Sequence, residues 1–370
     1  MHSELSPNHY LSPDIFEAEK KSLFQRLWVF ACFRSSVAED RAFVTREIGG
    51  VHLFLKNHEG EIRAFENRCP HRLMPIHDQE FGQSKSVCPY HGWVFDDHGK
   101  VKTIPKEEDL YGYCPSAREA LGLKKFAVSV VGNLVFVNLD ANPIALTEQF
   151  SSELLDELKE ISEHFGQLAV HANIDTAYNW KLNFENVLDH NHIPYVHPKT
   201  FQPLVRSQAD VNHADERLQV PDVSITSDLC AQSFHAKTSM HIQPWPWHSM
   251  VERYGQEGVY HNFFLFPNIN FISVGGLIFL MQQFCPVSPS KTQVRFTLSI
   301  AKEKKRLPAL PAILRGHLKG EIDVLMEDVV HLENLQARLT EGAPRAFHGR
   351  YEHRLISFAQ AYLALLEKGE

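Results

Sequence analysis

The sequence predicts an α+β fold, with an all-β module in its N-terminal part and an antiparallel sheet with helices in its C-terminal part. Between residues 40 and 140, short apolar runs with a period of two are separated by Gly, Asp and Asn turns. Further along, helical spacing appears, strand patterns return over residues 210–300, and residues 306–370 are helical again. We therefore expect a helical segment 1–39 that packs on the C-terminal domain, an all-β domain 40–140 and a C-terminal domain 141–370.

The same patterns predict the single elements in chain order. Residues 14–31 carry apolar side chains at helical spacing, and so do residues 154–165. Residues 51–55 and 62–65 predict a hairpin whose turn lies at 57–60. Further strands are expected at 93–95, 126–131 and 134–139.

Composition excludes several classes of protein. The chain has 370 residues, of which 44% are hydrophobic and 22% charged, which excludes a disordered chain and a coiled-coil rod. A net charge of −8 without a basic block argues against a nucleic-acid partner. Six scattered cysteines do not form a secreted disulfide framework. No signal-peptide pattern opens the chain and no apolar run could cross a bilayer, so we expect a cytoplasmic protein outside the membrane.

Two short segments give the strongest chemical signal. Cys69-Pro70-His71-Arg72 and the segment from Cys88 to Trp93 each hold one cysteine and one histidine, His71 and His91. Two thiolates and two imidazoles are the ligands of a Rieske-type [2Fe-2S] cluster, in which cysteines hold one iron and histidines the other. A Cys2His2 zinc site has the same ligands, although its usual order is two cysteines followed by two histidines. Visible absorbance separates these alternatives, because zinc gives none.

A second segment combines Asp189, His192 and His197. Two imidazoles and a more distant carboxylate on one face of an iron ion leave other positions open for oxygen and substrate. Pro194 and Pro198 interrupt a continuous helix, so the two histidines can converge from a bend. The alternative is that they are ordinary core or surface histidines.

The missing carboxylate is expected from the C-terminal helices. Asp328 falls at the edge of the apolar stripe on a helical wheel, whereas Asp323 and Glu327 point nearly the opposite way. Asp328 is therefore the predicted third ligand, and a solvated helix charge is the alternative. The stripe consists of Ile322, Leu325, Val329, Leu332, Leu335 and Leu339.

Taken together, these segments resemble the α (oxygenase) subunit of the Rieske non-haem iron oxygenases, the aromatic-ring-hydroxylating dioxygenase family, over almost the whole chain. The resemblance implies a Rieske [2Fe-2S] domain followed by a helix-grip catalytic domain. It also implies a homotrimer in which Asp189 connects a cluster histidine, His91 by analogy, to an iron ligand of the neighbouring subunit. The implied ligands are Cys69, His71, Cys88 and His91 for the cluster and His192, His197 and Asp328 for Fe(II).

The resemblance further implies a terminal oxygenase that hydroxylates, dihydroxylates or demethylates a small organic substrate with O2. No glycine-rich nucleotide motif follows a strand, so electrons are expected from a separate NAD(P)H reductase, with or without a ferredoxin. An aromatic acid would be bound by Arg206 or Arg253, and a quaternary ammonium compound by an aromatic cage. The candidate pocket residues, for which core packing is the alternative, are Phe184, Trp245, Trp247, Tyr254, Phe264 and Phe279. The rival function is a Rieske electron-transfer protein without oxygenase activity.

Overall fold

The computed structural model describes residues 4–189, 191–200, 233–239, 242–342, 344, 346–349 and 352–367. The chain divides into two compact units. The inserted unit is Phe24–Ile144, and the host unit is formed by Met1–Leu23 together with Ala145–Glu370. Both units contain antiparallel sheet and the host unit carries the long helices, so the predicted α+β class is confirmed.

The strands and helices have the following bounds. The strands are β1 Val29–Phe33, β2 Ala42–Ile48, β3 Val51–His58, β4 Glu61–Glu66, β5 Phe81–Gln83, β6 Val94–Phe95, β7 Val101–Thr103, β8 Lys125–Val131, β9 Leu134–Asn138, β10 Phe165–Thr176, β11 Phe234–Ser239, β12 Val259–Leu265, β13 Ile269–Val274, β14 Ile278–Ser288 and β15 Lys291–Ala301. The α-helices are α1 Asn8–Leu11, α2 Pro13–Glu19, α3 Glu107–Leu110, α4 Pro115–Glu119, α5 Leu146–Gln149, α6 Ser152–Ser162, α7 Trp180–Leu188, α8 Ile193–Val196, α9 Leu310–Thr340 and α10 His353–Glu367.

A seven-stranded antiparallel sheet in the order β1-β9-β8-β4-β3-β2-β5 dominates the inserted unit, with β6 and β7 forming a separate pair. The predicted hairpin is present as β3 and β4, in which His58 pairs with Glu61. Its turn is tighter than expected, because only Glu59 and Gly60 lie between the strands, with φ of 52° and 96°. Positive φ at both positions gives the turn a twist that matches that of the strands.

The helix predicted over residues 14–31 is wrong beyond residue 24. Helix α2 continues as a π-helical turn over Lys20–Phe24, and strand β1 begins at Val29. Every residue of β1 is buried, so the strand is apolar on both faces and shows no period of two. The apolar residues of this buried strand follow those of the helix, so the spacing of apolar residues in the sequence matched a helix as far as residue 31.

The host unit is built on a six-stranded antiparallel sheet in the order β10-β15-β14-β13-β12-β11. Helix α9 packs on β10 and β15, and α7 packs on β13 and β14. The helix predicted to reach Phe165 ends at Ser162, because Phe165 opens β10 and stacks on Phe279 across the sheet, with ring centroids 4.5 Å apart.

The inward stripe of α9 is buried only in part, because Ile322 and Leu339 are partly exposed and Leu335 faces solvent. Leu325, Val329 and Leu332 are buried as expected, but Leu335 is 51% exposed. Gln336 is buried in its place, and its Oε1 accepts a hydrogen bond from the backbone N–H of Asn179 at 2.8 Å. Buried, hydrogen-bonded Gln336 thus takes the place in the stripe that was expected for Leu335. A pattern of hydrophobic residues cannot reveal a polar residue in the core.

A buried charge network ties three helices of the host unit together. Lys181 on α7 is fully buried and pairs with Glu19 at the end of α2. The Tyr362 hydroxyl on α10 and the Trp180 indole N–H also donate hydrogen bonds to Glu19. Burial lowers the pKa of Lys181. Removing one partner of such a pair generally costs about 3–5 kcal/mol, because the other charge stays buried.

Among the described residues, no helix is both long enough and apolar enough to span a bilayer.

Candidate metal centres

Two loops of the inserted unit hold the four side chains of the first motif, and both have the same backbone pattern. In each loop the cysteine N–H donates to the carbonyl five residues later, and the cysteine carbonyl accepts from the N–H four residues later. These bonds are Cys69 N to Met74 O and Cys88 N to Trp93 O, both 2.8 Å, and Leu73 N to Cys69 O and Gly92 N to Cys88 O, 2.9 and 3.0 Å. The two Cys–His segments are therefore presented by matching turns.

The imidazoles of His71 and His91 face each other across these turns. Their ring centroids are 4.5 Å apart at an interplanar angle of 66°. The Nδ1 atom of each ring is buried and has no hydrogen-bond partner among the residues that the structure describes. Trp93 stacks on His71 at 5.0 Å and 5°, which fixes the orientation of that ring. A buried nitrogen without a partner is costly unless it binds something else, so both Nδ1 atoms fit metal ligands.

The thiols of Cys69 and Cys88 complete the set. Both cysteines are buried in the core around Phe54, Phe65 and Trp93, and neither forms a disulfide. Burial raises the pKa of Cys69 to about 11, so its thiolate is stable only beside a positive centre. Partial burial, together with the neighbouring His91, lowers the pKa of His71, which keeps that imidazole neutral. A neutral imidazole is the form that binds iron, and the iron ions of a [2Fe-2S] cluster would supply the positive charge that a buried thiolate needs here.

We expect Gly92→Ala to destabilise the inserted unit, and Leu73→Gly at the equivalent position of the other loop not to do so. Gly92 and Leu73 have φ of 72° and 64°. A Cβ at Gly92 would lie 3.2 Å from Cγ of Pro105, whereas the Leu73 side chain is 62% exposed. In chemical denaturation, G92A should lower the free energy of unfolding by about 1–2 kcal/mol. L73G should change it by less than about 1 kcal/mol, and the reverse order of the two losses would contradict the argument.

The second motif lies in the host unit around the short helix α8. Asp189 follows the last residue of α7, His192 directly precedes α8, and His197 directly follows it. One helical turn thus separates the two histidines, and Pro194 lies in the first turn of this short helix rather than interrupting it. Their ring centroids lie 5.3 Å apart at an interplanar angle of 71°.

Asp328 on α9 faces both of these histidines. Its Oδ1 lies 3.0 Å from Nε2 of His197 and 3.7 Å from Nε2 of His192. This oxygen is buried and makes no well-formed hydrogen bond within the described part of the chain. Two imidazoles and one carboxylate with converging ligand atoms form the facial triad of non-haem iron sites. The structure therefore brings the three predicted ligands together, and the donor set fits iron.

The expectation for Glu327 is wrong. The helical wheel placed the Glu327 side chain on the side of α9 away from the site. In the structure its Oε2 lies 2.8 Å from Nδ1 of His197 and accepts a hydrogen bond from Thr200 Oγ1 at 2.6 Å. A glutamate side chain is long enough to reach back around the helix, which a wheel of Cβ directions ignores. A carboxylate on Nδ1 leaves Nε2 free to bind a metal ion and fixes the orientation of the ring.

Electrostatics around His197 favour a positive charge. Burial alone would lower its pKa, but the close carboxylates of Asp328 and Glu327 outweigh burial and raise the pKa. A metal cation between these groups would supply the positive charge that they favour.

Asp189 contacts the other histidine. One carboxylate oxygen accepts a hydrogen bond from the backbone N–H of Asn191 at 2.8 Å, and the second lies 3.3 Å from Nδ1 of His192. Asp189 thus orients His192 in the way that Glu327 orients His197. Its contact with His91 of a neighbouring subunit stays a prediction.

The six predicted pocket residues occupy different surroundings, and their role in substrate binding stays a prediction. Arg206 lies outside the described residues. Arg253 donates to the carbonyl of Gly275 at 2.9 Å. Phe184 packs against Phe284 and Phe358, and Phe279 packs against Phe165. Phe264 lies under the Arg354 guanidinium, and Trp247 packs against His317. The Tyr254 hydroxyl donates a hydrogen bond to Glu157, and Trp245 is 54% exposed.

Comparison with protein families matches both units. Residues 27–126 match the model of the Rieske [2Fe-2S] domain, which decides between the cluster and the zinc alternative. Residues 165–368, more than half of the chain, match the model described as ring hydroxylating alpha subunit (catalytic domain). The predicted cofactors, a Rieske [2Fe-2S] cluster and a mononuclear iron ion, are thereby confirmed.

Similar proteins include enzymes named for different substrates. The large subunit of anthranilate 1,2-dioxygenase from Acinetobacter baylyi is 29% identical over 213 residues, which cover 55% of this chain and 44% of that protein. The oxygenase subunit of glycine betaine monooxygenase from Pseudomonas aeruginosa is 29% identical over 202 residues, covering 53% and 45%. The matched part thus spans less than half the length of these curated relatives.

Among solved structures, a quaternary ammonium Rieske monooxygenase in complex with an inhibitor superimposes with a TM-score of 0.76 at 20% identity. The match covers 98% of this chain and 95% of that one. This likeness shows the same fold, with a Rieske domain preceding a catalytic domain of antiparallel sheet and helices.

Proposed function

Since the chain belongs to the family of ring-hydroxylating oxygenase α subunits, we propose that it is a terminal oxygenase acting on a small organic substrate. Cys69, His71, Cys88 and His91 would hold the Rieske cluster, and His192, His197 and Asp328 the mononuclear iron. The observation that carries the proposal is the convergence of two imidazole Nε2 atoms on one buried Asp328 oxygen. A site of this composition has coordination positions to spare, which an electron carrier would not need.

When bound at these residues, the cluster would supply electron transfer and the iron ion would supply dioxygen activation. The chain contributes orientation and charge. Glu327 and Asp189 each fix one imidazole through its Nδ1, so that both Nε2 atoms face Asp328. Burial of Asp328 and His197 keeps bulk water away from this side of the centre.

We further propose that electrons come from a separate NAD(P)H-dependent reductase, with or without a ferredoxin between them. The assembly would be a homotrimer in which Asp189 of one subunit contacts His91 of the next. The sequence supports a separate reductase, because it has no glycine-rich nucleotide motif after a strand. The hydrogen bond between Asp189 and an iron ligand supports its place at the end of the electron path.

Two substrate classes remain in the proposal: aromatic acids and quaternary ammonium compounds. The named relatives include enzymes of both kinds, at the same 29% identity. Arg253, one candidate for binding a carboxylate, already donates to a backbone carbonyl and lies 3.8 Å from Glu257. Because Arg253 already has these two partners, it is a weaker candidate for binding the carboxylate of a substrate. The reaction would be hydroxylation, dihydroxylation or demethylation.

Single-turnover oxidation tests the proposal directly. The protein loaded with both metals is reduced without oxygen, freed from excess reductant, and mixed with O2 and each member of a panel of benzoates, betaines and carnitine analogues. An oxygenase gives up to about one product molecule per chain, because the reduced cluster and ferrous iron together hold two electrons. An electron-transfer protein would be reoxidised without forming product from any substrate of the panel.

Glu327→Ala is expected to weaken iron binding without affecting the cluster. The substitution removes the carboxylate from Nδ1 of His197, and losing such a partner typically lowers metal affinity about 10–100-fold. Iron retention against a graded chelator series measures this loss, and visible absorbance reports the cluster. Glu341→Ala, directly after the end of the same helix, is the control, because within the described part of the chain Glu341 pairs with Arg338 at the surface. Equal iron retention in E327A and the control would refute the orienting role of Glu327.

A further inference from the structure

A second group of side chains of the types that bind metal ions lies in the host unit, at the opposite edge of the sheet from β10. His235 is on the edge strand β11, His261 on its neighbour β12, and Glu157 on helix α6. Pairing places Lys237 opposite His261 and His235 opposite Phe263, so the two histidines are diagonal neighbours on the same face. Side chains in this relation are close enough to touch, and α6 adds the carboxylate.

The distances within this group suit metal coordination. Nε2 of His235 lies 3.1 Å from Nδ1 of His261, which lies 3.8 Å from Oε1 of Glu157. Two nitrogens bound tetrahedrally to zinc at about 2.0–2.1 Å are separated by roughly 3.3 Å. Small side-chain movements would therefore bring all three atoms onto one ion. The His235 ring is held in place by stacking on Phe263, with centroids 3.9 Å apart.

The protonation preferences of the three groups are those of metal ligands. Burial lowers the pKa of His235 to about 3 and that of His261 to about 4, so both imidazoles are neutral near pH 7. Burial alone would raise the pKa of Glu157, but the hydrogen bond from Tyr254 and the neighbouring basic groups lower it. The Tyr254 hydroxyl, 2.8 Å from Oε1, also fixes the position of the carboxylate.

We propose that Glu157, His235 and His261 form a divalent transition-metal site, separate from the predicted iron centre, which binds zinc with water in the remaining position. Two imidazoles and a glutamate are a known zinc ligand set, and at such nitrogen and oxygen ligands zinc binds more tightly than ferrous iron. The bound ion would connect α6 to the edge strand β11. Because the unfolded chain does not preform the site, binding would stabilise the folded host unit.

A metal-free arrangement is the competing explanation. The two histidines can share a hydrogen bond, and Nζ of Lys237 lies 3.5 Å from Oε1 of Glu157 and partly neutralises it. The Lys237 side chain is exposed, so it can turn away when a cation binds. Its ammonium group opposes metal binding by charge repulsion, and Lys237→Gln is expected to raise zinc affinity several-fold.

Zinc binding to the full-length protein, loaded with cluster and iron, tests the proposal. Protein dialysed against buffered zinc is analysed for zinc and iron per chain, so that zinc exchanged into the iron site is recognised by lost iron. Wild-type protein should bind one zinc ion beyond any exchange, and His235→Gln should bind one fewer. His171→Gln is the matched control, because His171 lies in the same sheet on β10 and contacts Thr297 instead. The control should bind zinc like the wild type.

Two further measurements keep the proposal testable if His235→Gln fails to fold. Glu157→Gln alters a partly exposed helix residue and should lose the same zinc ion, and zinc should raise the Tm of the wild type but not of this variant. X-ray absorption at the zinc edge of the wild type should show two imidazole ligands. Equal zinc content in wild type, H235Q and E157Q, or a K237Q variant that binds zinc more weakly, would overturn the proposal.

Discussion

Asp328→Ala is expected to remove the mononuclear iron while the visible spectrum of the cluster stays unchanged. The variant loses the only carboxylate within reach of both His192 and His197 among the described residues. Loss of an orienting partner already weakens metal binding by about 10–100-fold, so loss of a direct ligand should exceed about 100-fold. Iron analysis should give the two iron ions of the cluster only, and product formation should fall to background.

Asp323→Ala is the matched control on the same helix. Asp323 is exposed and pairs with Lys319 at the surface, so its loss should change neither iron content nor turnover. Thermal unfolding of both variants excludes a general loss of structure as the cause. If D328A retained a third iron ion per chain, or turned over at the wild-type rate, Asp328 would not be the third ligand.

Asp189→Ala is expected to leave both metal sites loaded when ferrous iron is in excess, so that weaker iron binding through His192 is compensated, and to nearly abolish turnover. Asp189 is not within the group of ligand atoms, but it contacts Nδ1 of His192 and the backbone after α7. Displacing an oriented catalytic group by about 1 Å can cost roughly 100-fold in rate, and loss of the electron path would add to this. Steady-state product formation with a reductase, combined with iron analysis, measures the effect.

Asp189→Asn separates the two roles of this side chain. An amide oxygen can still accept the hydrogen bond from Asn191, but the negative charge beside His192 is lost. Asp175→Ala on β10, where the carboxylate accepts a hydrogen bond from Gln293, controls for removal of a carboxylate. We expect D189N to keep the stability of the wild type and to show slow reoxidation of the reduced cluster by oxygen and substrate. Turnover of D189A at the wild-type rate would contradict the bridging role.

The sequence was most informative where the chemistry is local. Cys69 and His71, like Cys88 and His91, lie within one turn each, and the backbone of that turn brings them together. His192 and His197 are separated by a single helical turn. Asp328 required an additional assumption about which face of α9 is buried, and that assumption held at Leu325 and Val329 but not at Leu335.

Long-range contacts could not be predicted in this way. Glu327 reaches His197 only because its flexible side chain bends around the helix. The group of His235, His261 and Glu157 depends on the register between β11 and β12 and on the position of α6, which no spacing in the sequence encodes. The apparent helix over residues 14–31 failed for the opposite reason, because a strand buried on both faces has no diagnostic period.

The buried charge network also constrains the order in which the protein can fold during synthesis. Glu19 meets Lys181 and Tyr362, which follow it by 162 and 343 positions. At about 5–20 residues per second, roughly 20–70 s pass between synthesis of Glu19 and of Tyr362. The inserted unit is complete long before then and can fold first on the ribosome, while the first helices wait for their partners. A nascent chain stalled before α10 would hold Glu19 and Lys181 without the hydroxyl that completes their burial.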